Sequence, residues 1–404
     1  MEYINYHKHS CYSNIRTPDS AEKIIDYINR AKELNSNIYS TVEHGFQGNI
    51  FDVISLCEEN NMNYIFGAEM YYVPSYDENL EGKKDKSNNH IIVIAKNNEG
   101  FKQINKALSI ANTDGYYYKP RINDDILFNL FKPNDVIITT ACIAGIGARK
   151  DYKELISKLK DRFGKDLYLE VQSHNHIAQI NHNKRMIKLA KEYDIELIHA
   201  NDSHYIDEEG EKYRNIFLKG KEMFYGDENS FQLDYPSSEE ILDRYKIQGV
   251  LTKEESLRAL NNTLIFKECI NVANINKKIK LPSVSDNPTQ ELKNIINKEF
   301  RNKGFDKYPK DKRQILLKAV REEMQTITDT KMENYFIMDY KICKSAQEDY
   351  GGIVTRTGRG SAVSFIINKL LNLTEINRVF APVPLYPSRF MSTERILSAN
   401  SLPD

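Results

Sequence analysis

The sequence predicts an α/β chain, and three observations lead there. Short β-prone runs alternate with helical runs over the first ~275 residues. Residue types that ligate metals recur at the edges of those runs. A break near Leu281–Pro288, with two prolines among small polar residues, sets off a second, helix-rich part. Strand–helix alternation favours a parallel sheet or barrel with functional groups at the carboxyl ends of its strands. At 404 residues the chain exceeds one ordinary core, so two domains are expected, 1–275 and 276–404.

His7-Lys8-His9 stands almost at the start. A helix entered through Pro18-Asp19-Ser20 keeps Ile24, Ile28, Ala31 and Leu34 on one face. The β-prone Ile38-Tyr39-Ser40-Thr41 runs into Glu43-His44-Gly45. Ile50, Val53, Ile54 and Cys57 line a second helix. The run Tyr64–Ala68 ends at Glu69, and His90 opens the strand Ile91–Ala95. Phe101, Ile104 and Leu108 mark a third helix. Val136–Thr140 leads to Cys142, Leu167–Val171 forms a further strand, and Glu196–Ala200 leads to Asp202-Ser203-His204. Beyond the break the chain is helical with charged faces as far as Gly351-Gly352. Then come Gly358-Arg359-Gly360-Ser361 and an amphipathic helix carrying Val363, Ile366, Ile367, Leu370 and Leu371. The last stretch, with Pro382, Pro384 and Pro387, reads as interrupted rather than finished.

Forty per cent hydrophobic and 10% aromatic residues belong to a globular protein. No stretch reaches the ~18 apolar residues of a membrane helix, so no membrane partner is expected. The start lacks the basic and apolar regions of a signal peptide. Five cysteines without a Cys-x-x-Cys fit a reducing, cytoplasmic compartment rather than a disulfide framework. The net charge of -1 is unevenly spread: residues 281–404 hold 19 basic against 15 acidic side chains, and residues 1–280 hold 37 against 42. An acidic first part suits a cation site, and a mildly basic second part suits a polyanion.

Asp19, His44, Glu69, His90, Cys142, Asp202 and His204, with His7 and His9, make nine N, O and S donors at predicted strand edges. Singly, each has a plainer reading. Asp19 would cap a helix, Cys142 would be a small buried hydrophobe, and His90 would be a loop residue. Together they indicate a site for two or three ions of Zn, Mn or Fe rather than Mg or Ca. Two such ions clamp a phosphodiester, which makes phosphate-ester hydrolysis the expected chemistry.

His7-x-His9, Glu43-His44-Gly45, Gly67-x-Glu69, His90, Cys142 and Asn201-Asp202-x-His204-Tyr205 resemble the polymerase-and-histidinol-phosphatase (PHP) domain. More narrowly, they resemble the version at the front of the bacterial or phage C-family replicative polymerases, the DNA polymerase III alpha subunits. The resemblance implies a distorted (β/α)7 barrel, with His7, His9, Glu69 and Asp202 as ligands of a first metal and as the catalytic set. It implies Glu69, His90 and Cys142 for a second metal, and Asp19, His44 and His204 for a third. Two departures stand out. Glu43 replaces the usual Asp and is read as orienting His44 from behind, and Asp19 lies behind an insertion around Ile15-Arg16-Thr17.

In the second half, Gly358-Arg359-Gly360-Ser361 resembles the family's palm motif for the incoming triphosphate, so Arg359, Gly360 and Ser361 are expected to bind phosphate. Arg356-Thr357 replaces the usual Gly-Pro ahead of it. The resemblance implies a partial α+β palm that stops before the catalytic aspartates, hence no primer extension by these residues. Mg is the metal expected for the parent polymerase, and its other replisome subunits are further partners. The reading is a metal-dependent 3′→5′ exonuclease acting on a primer terminus or single-stranded DNA, with weak affinity for deoxynucleoside triphosphates. The alternatives are a phosphatase of small phosphate monoesters and a scaffold merely braced by metal.

Overall fold

The computed structural model describes residues 1–77, 82–223, 231–276, 280–353 and 360–398. The chain divides into two compact units, Met1–Ile275 and Asn276–Asp404.

In the first unit the elements run α1 (Ile24–Glu33), β1 (Ile38–Thr41), α2 (Ile50–Glu59), β2 (Asn63–Tyr72), β3 (Asn89–Ala95), α3 (Asn98–Asn112), β4 (Tyr116–Tyr117), β5 (Lys119–Ile122), β6 (Val136–Thr139), α4 (Tyr152–Phe163), β7 (Leu167–Val171), α5 (Ile177–Tyr193), β8 (Glu196–His199), α6 (Glu208–Gly220), α7 (Ser238–Gln248) and α8 (Lys253–Asn262). The strands form one sheet in the order β4-β5-β2-β3-β6-β7-β8, with β1 also paired to β2.

Both faces of this sheet are buried, which is why its strands read as continuous apolar runs. Successive side chains point to opposite faces. Phe66, Ala68, Ile91, Val93, Ile138, Leu167 and Leu169 pack into a cluster with α1, α2, α3 and α4. Ile65, Ile92, Ile94, Ile137, Tyr168 and Ile198 fill the opposite side with Ile4, Tyr6 and Phe266. The same parity turns Glu69, His90, Thr139 and Glu170 to that inner side.

The amino-terminal segment spans the gap between β1 and the loop after β8. His9 N–H donates to Ser203 O (2.8 Å) and Ser203 N–H to His7 O (3.1 Å). On the other flank, Ser40 Oγ contacts Asn5 O and Tyr6 O (both 2.9 Å) and accepts from Lys8 Nζ (2.7 Å). The amino-terminal segment thereby ties β1 to the loop after β8 in a curled, half-barrel sheet.

The expected parallel sheet has two exceptions, β4 at its edge, antiparallel to β5, and β3 in its centre. β3 runs antiparallel to β2 and to β6, whereas β1–β2, β2–β5, β6–β7 and β7–β8 are parallel. β2 is also longer than its apolar run: it continues through Glu69 to Tyr72, so Glu69 lies within a strand rather than at its end. The β4–β5 hairpin carried no strand signal, because it pairs only two residues on each side and contains Pro120. Helix α1 begins at Ile24 with Lys23 at its N-cap, so Asp19 does not cap it.

The second unit contains α9 (Pro288–Asn302), α10 (Lys310–Asp329), α11 (Glu333–Tyr350), α12 (Ile366–Leu370) and α13 (Thr393–Ser398). Leu292, Ile296, Leu316, Ile327, Phe336, Phe365 and Leu370 build its core. Among the described residues it is helical and has no strand. The helix expected from Ser361 onward is broken into a 3-10 turn, Ser361–Ser364, and α12. The break falls at Phe365, whose backbone is extended and whose ring is buried against Phe336 (6.3 Å) and Phe390 (5.1 Å). Burying that ring in the core outweighs continuing the helix.

Candidate metal centre

The rim of the barrel gathers the side chains singled out in the sequence, and strand direction explains how. His44 follows β1, Cys142 follows β6, and Asp202 and His204 follow β8, all at carboxyl ends. His90 sits instead at the start of β3. Because β3 is antiparallel to β2, with His90 opposite Tyr71, its start lies at the same rim. Two short bridges, His44 to Glu69 and His90 to Gly145, extend the pairing beyond the strands. Backbone strain accompanies the arrangement: Ala141 and Asp202 adopt left-handed φ values of 57° and 54°. Gly45, at φ 55°, has no room for a Cβ, which would lie 2.9 Å from Pro120.

Glu69 is the central group. Its Oε2 lies 2.8 Å from His7 Nε2 and 3.2 Å from His9 Nε2, and its Oε1 lies 3.3 Å from His44 Nδ1 and also contacts His90 Nδ1. Asp202 Oδ1 approaches His7 Nε2 (3.0 Å), His9 Nε2 (3.2 Å) and His204 Nε2 (3.5 Å). Asp19 lies between His44 Nε2 and His204 Nδ1, 3.3 Å from each. Cys142 Sγ is 3.7 Å from His90 Nδ1. Donor atoms of His7, His9, Glu69 and Asp202 lie mutually within 4.8 Å, as do those of His9, His44 and His204. All nine side chains therefore meet in one cluster.

Its electrostatics differ from those of the other buried histidines. Burial pushes His174, His182 and His199 down to about 4, 4 and 3, so they are neutral. Burial acts the same way on His7, but Asp202 and Glu170 outweigh it and hold the imidazole well above its ordinary range. His44 is raised likewise, burial being overcome by Asp19. Against the pull of burial, histidines hold Asp19, Glu69 and Asp202 well below the usual carboxylate range. The Cys142 thiol is pushed well up, by burial first and then by Asp202 and Glu69.

The donor set fits a cation. His9 Nε2, Asp19 Oδ1, Asp202 Oδ1 and His204 Nδ1 are buried and have no hydrogen-bond partner. Yet His9 Nε2 is 3.2 Å from Asp202 Oδ1, and His204 Nδ1 is 3.3 Å from Asp19 Oδ1. Donor atoms packed this closely without hydrogen-bond partners leave lone pairs that a cation would satisfy.

Behind the donors stand groups that carry no motif of their own in the sequence. Glu170, fully buried in β7, accepts from His7 Nδ1 (2.9 Å), Tyr6 Oη (2.7 Å) and Gln172 Nε2 (2.8 Å). The available signal was a lone charge inside Leu167-Tyr168-Leu169-Glu170-Val171. Ser13 Oγ lies 3.0 Å from His9 Nδ1, accepts from the His44 N–H (3.2 Å) and donates to Glu43. Glu43 also accepts from the Ser10 N–H and Asn49 Nδ2 (both 3.0 Å). The ring that Glu43 supports through Ser13 is thus that of His9; the expected link to His44 runs only to its backbone. A cleft of about 450 Å³ opens on the cluster, walled by Thr17, Tyr71, Lys119, Arg214 and Phe231.

In the second unit, Gly360 (φ 77°) precedes the 3-10 turn that Ser361 opens, and Arg359 lies outside the described residues. The first amides of α12 are already taken, since Glu323 accepts from Ile366 N–H (3.0 Å) and Ile367 N–H (2.9 Å) and pairs with Arg378.

Residues 5–174 match the PHP domain, and residues 290–404 match the bacterial DNA polymerase III alpha NTPase domain. The chain is similar along its whole length to proteins named DNA polymerase III subunit alpha. It is 30% identical to that of Borreliella burgdorferi and 26% identical to that of Aquifex aeolicus, covering 34% and 36% of them. It is also 26% identical to the Treponema pallidum protein, covering 34% of it. The chain thus spans about a third of the length of the curated relatives it matches.

Proposed function

We propose, for a chain that carries a PHP domain and corresponds to the front third of DNA polymerase III alpha subunits, that the first unit is a metal-dependent 3′→5′ exonuclease. The observation that carries this reading is the Glu69 carboxylate, one oxygen on His7 and His9 and the other on His44 and His90. A carboxylate shared in this way suits adjacent cations, the requirement of in-line phosphodiester hydrolysis. His7, His9, Glu69 and Asp202 would hold one ion, Glu69, His90 and Cys142 a second, and Asp19, His44 and His204 a third. Ions of Zn, Mn or Fe there would supply Lewis-acid activation of the phosphoryl group and of water.

The protein's own groups prepare the site. The Glu170 carboxylate accepts the His7 Nδ1 proton, which leaves Nε2 facing Asp202 and Glu69. Ser13, donating to Glu43, does the same for His9. Lys119 and Arg214 place positive charge along the cleft wall, where a phosphate backbone would lie. The substrate is a DNA terminus, and the setting is a replicative polymerase with its other subunits. Phosphate binding by Arg359, Gly360 and Ser361 belongs to the same reading. It would depend on the loop itself, because Glu323 occupies the α12 amides.

The test combines elemental analysis of protein purified without chelator with digestion of 5′-labelled single-stranded DNA. Two or three ions per chain and EDTA-sensitive shortening from the 3′ end are expected. Bound metal without nuclease activity would favour a scaffold. Hydrolysis of small monoesters with DNA left intact would favour a phosphatase.

A further inference from the structure

The β4–β5 hairpin presents Tyr116-Tyr117-Tyr118-Lys119 beside the metal cleft, and its exposure is costly. Tyr118 is 71% and Tyr116 52% exposed. Tyr118, at the tip, holds a left-handed φ of 63°, a conformation that a bulky side chain adopts only under constraint. Neither feature contributes to the core.

Cations interleave with these rings. Lys84 Nζ lies 5.9 Å from the Tyr117 ring, Lys86 Nζ 5.8 Å from the Tyr118 ring, and Arg121 Cζ 5.2 Å from the Tyr117 ring. Tyr117 and Tyr118 meet edge to face at 4.7 Å. The series continues inward. Lys119 donates to Thr17 Oγ1 (2.7 Å) and sits 5.3 Å from the Tyr71 ring, which in turn contacts the His90 ring at 5.3 Å. Rings and cations thus pair both at the exposed tip and, through Lys119 and Tyr71, beside the candidate ligand His90.

We propose that this hairpin is a stacking platform for unpaired bases, which guides a single DNA strand into the cleft while Lys84 and Lys86 hold its phosphates. Every base offers a π-face and every linkage a negative charge, so tyrosines paired with lysines fit a single strand of any sequence. A duplex, whose bases are already stacked, gains nothing from the rings. The inference rests on the exonuclease reading for the direction of travel but not for binding.

The test is fluorescence anisotropy of the full chain with a 5′-labelled oligothymidine whose 3′-terminal linkage is a phosphorothioate. Tyr118→Ala should weaken binding roughly fivefold to a hundredfold, the range of base–aromatic stacking. Lys84→Ala with Lys86→Ala should weaken it too and flatten the salt dependence, by about 0.7 in log–log slope for each phosphate no longer held. Tyr118→Gly removes the ring and the φ strain together, so it should bind as poorly as Tyr118→Ala while melting no lower than the parent. Parent affinity in both Tyr118 variants would overturn the proposal. So would a duplex that binds as tightly as the single strand and is weakened equally by the substitutions. Hydrolysis of bis(p-nitrophenyl) phosphate by the parent reports on the metal centre separately. No turnover there, with hairpin-dependent binding intact, would defeat the exonuclease reading and leave the platform standing.

Discussion

Glu170 shows what one buried charge does for a cluster it does not join. Glu170→Gln keeps the shape and removes the charge that fixes the His7 tautomer. Metal affinity should fall about 10–100-fold, as for other groups that orient ligands, measured by competition with a chromogenic chelator; unchanged affinity would show that the His7 ring needs no such partner. Asp202→Ala removes a donor outright, and DNA hydrolysis should fall to near background. His204 contributes to the pH dependence alongside His7 and His44. Burial pushes it down, but Asp19 outweighs this and raises it to about 8 in the metal-free protein. Its protonated form then stabilises the fold fully below ~6.5, the ordinary imidazole value, and that contribution is lost as pH rises through about 8. An incoming cation must displace the proton, so binding should release protons and tighten with rising pH. Calorimetry in two buffers of different ionisation enthalpy checks this; identical heats would contradict it.

At the scale of elements, turns and breaks decide more than propensity does. Gly45 joins the end of β1 to the approach towards α2 in a left-handed conformation, and its missing Cβ leaves room for Pro120 of β5 and for Tyr71. Gly45→Ala should cost about 1–2 kcal/mol from the backbone alone, with His44 displaced and metal occupancy reduced. Thermal melting and metal analysis of the variant test both effects. In the second unit, Phe365 ends one turn and starts another because its ring is needed in the core. Phe365→Ala should destabilise that unit by about 3–5 kcal/mol, seen as a lower denaturant midpoint. A near-parent midpoint would mean that the ring is not what breaks the helix.

For the whole molecule, the candidate metal centre joins segments far apart in sequence, from His7 to His204. Without a cation, imidazoles and carboxylates crowd at the rim with buried polar atoms that lack hydrogen-bond partners. Stripping with EDTA should therefore lower hydrogen-exchange protection at β2, β3 and the amino-terminal segment, and added Zn or Mn should restore it. Among the described residues no helix is long and apolar enough to cross a membrane.

Periodicity alone determined much of this protein. Apolar runs marked β1, β3, β6, β7 and β8, because a sheet buried on both faces has no polar alternation to disguise it. Charged and imidazole side chains at the ends of such runs, His90 and Asp202 among them, marked the rim; Glu69 ended its apolar run too, although the strand itself continues to Tyr72. Three features were decided only by the tertiary structure. The direction of β3 brings the start of one strand to the rim where others end, and direction leaves no trace in a run of Ile and Val. The Glu170–His7 and Glu43–Ser13 hydrogen bonds join residues 163 and 30 positions apart, and local sequence cannot report which carboxylate faces which partner. The hairpin at Tyr118 holds a backbone conformation that its own side chain disfavours, so no propensity could announce it.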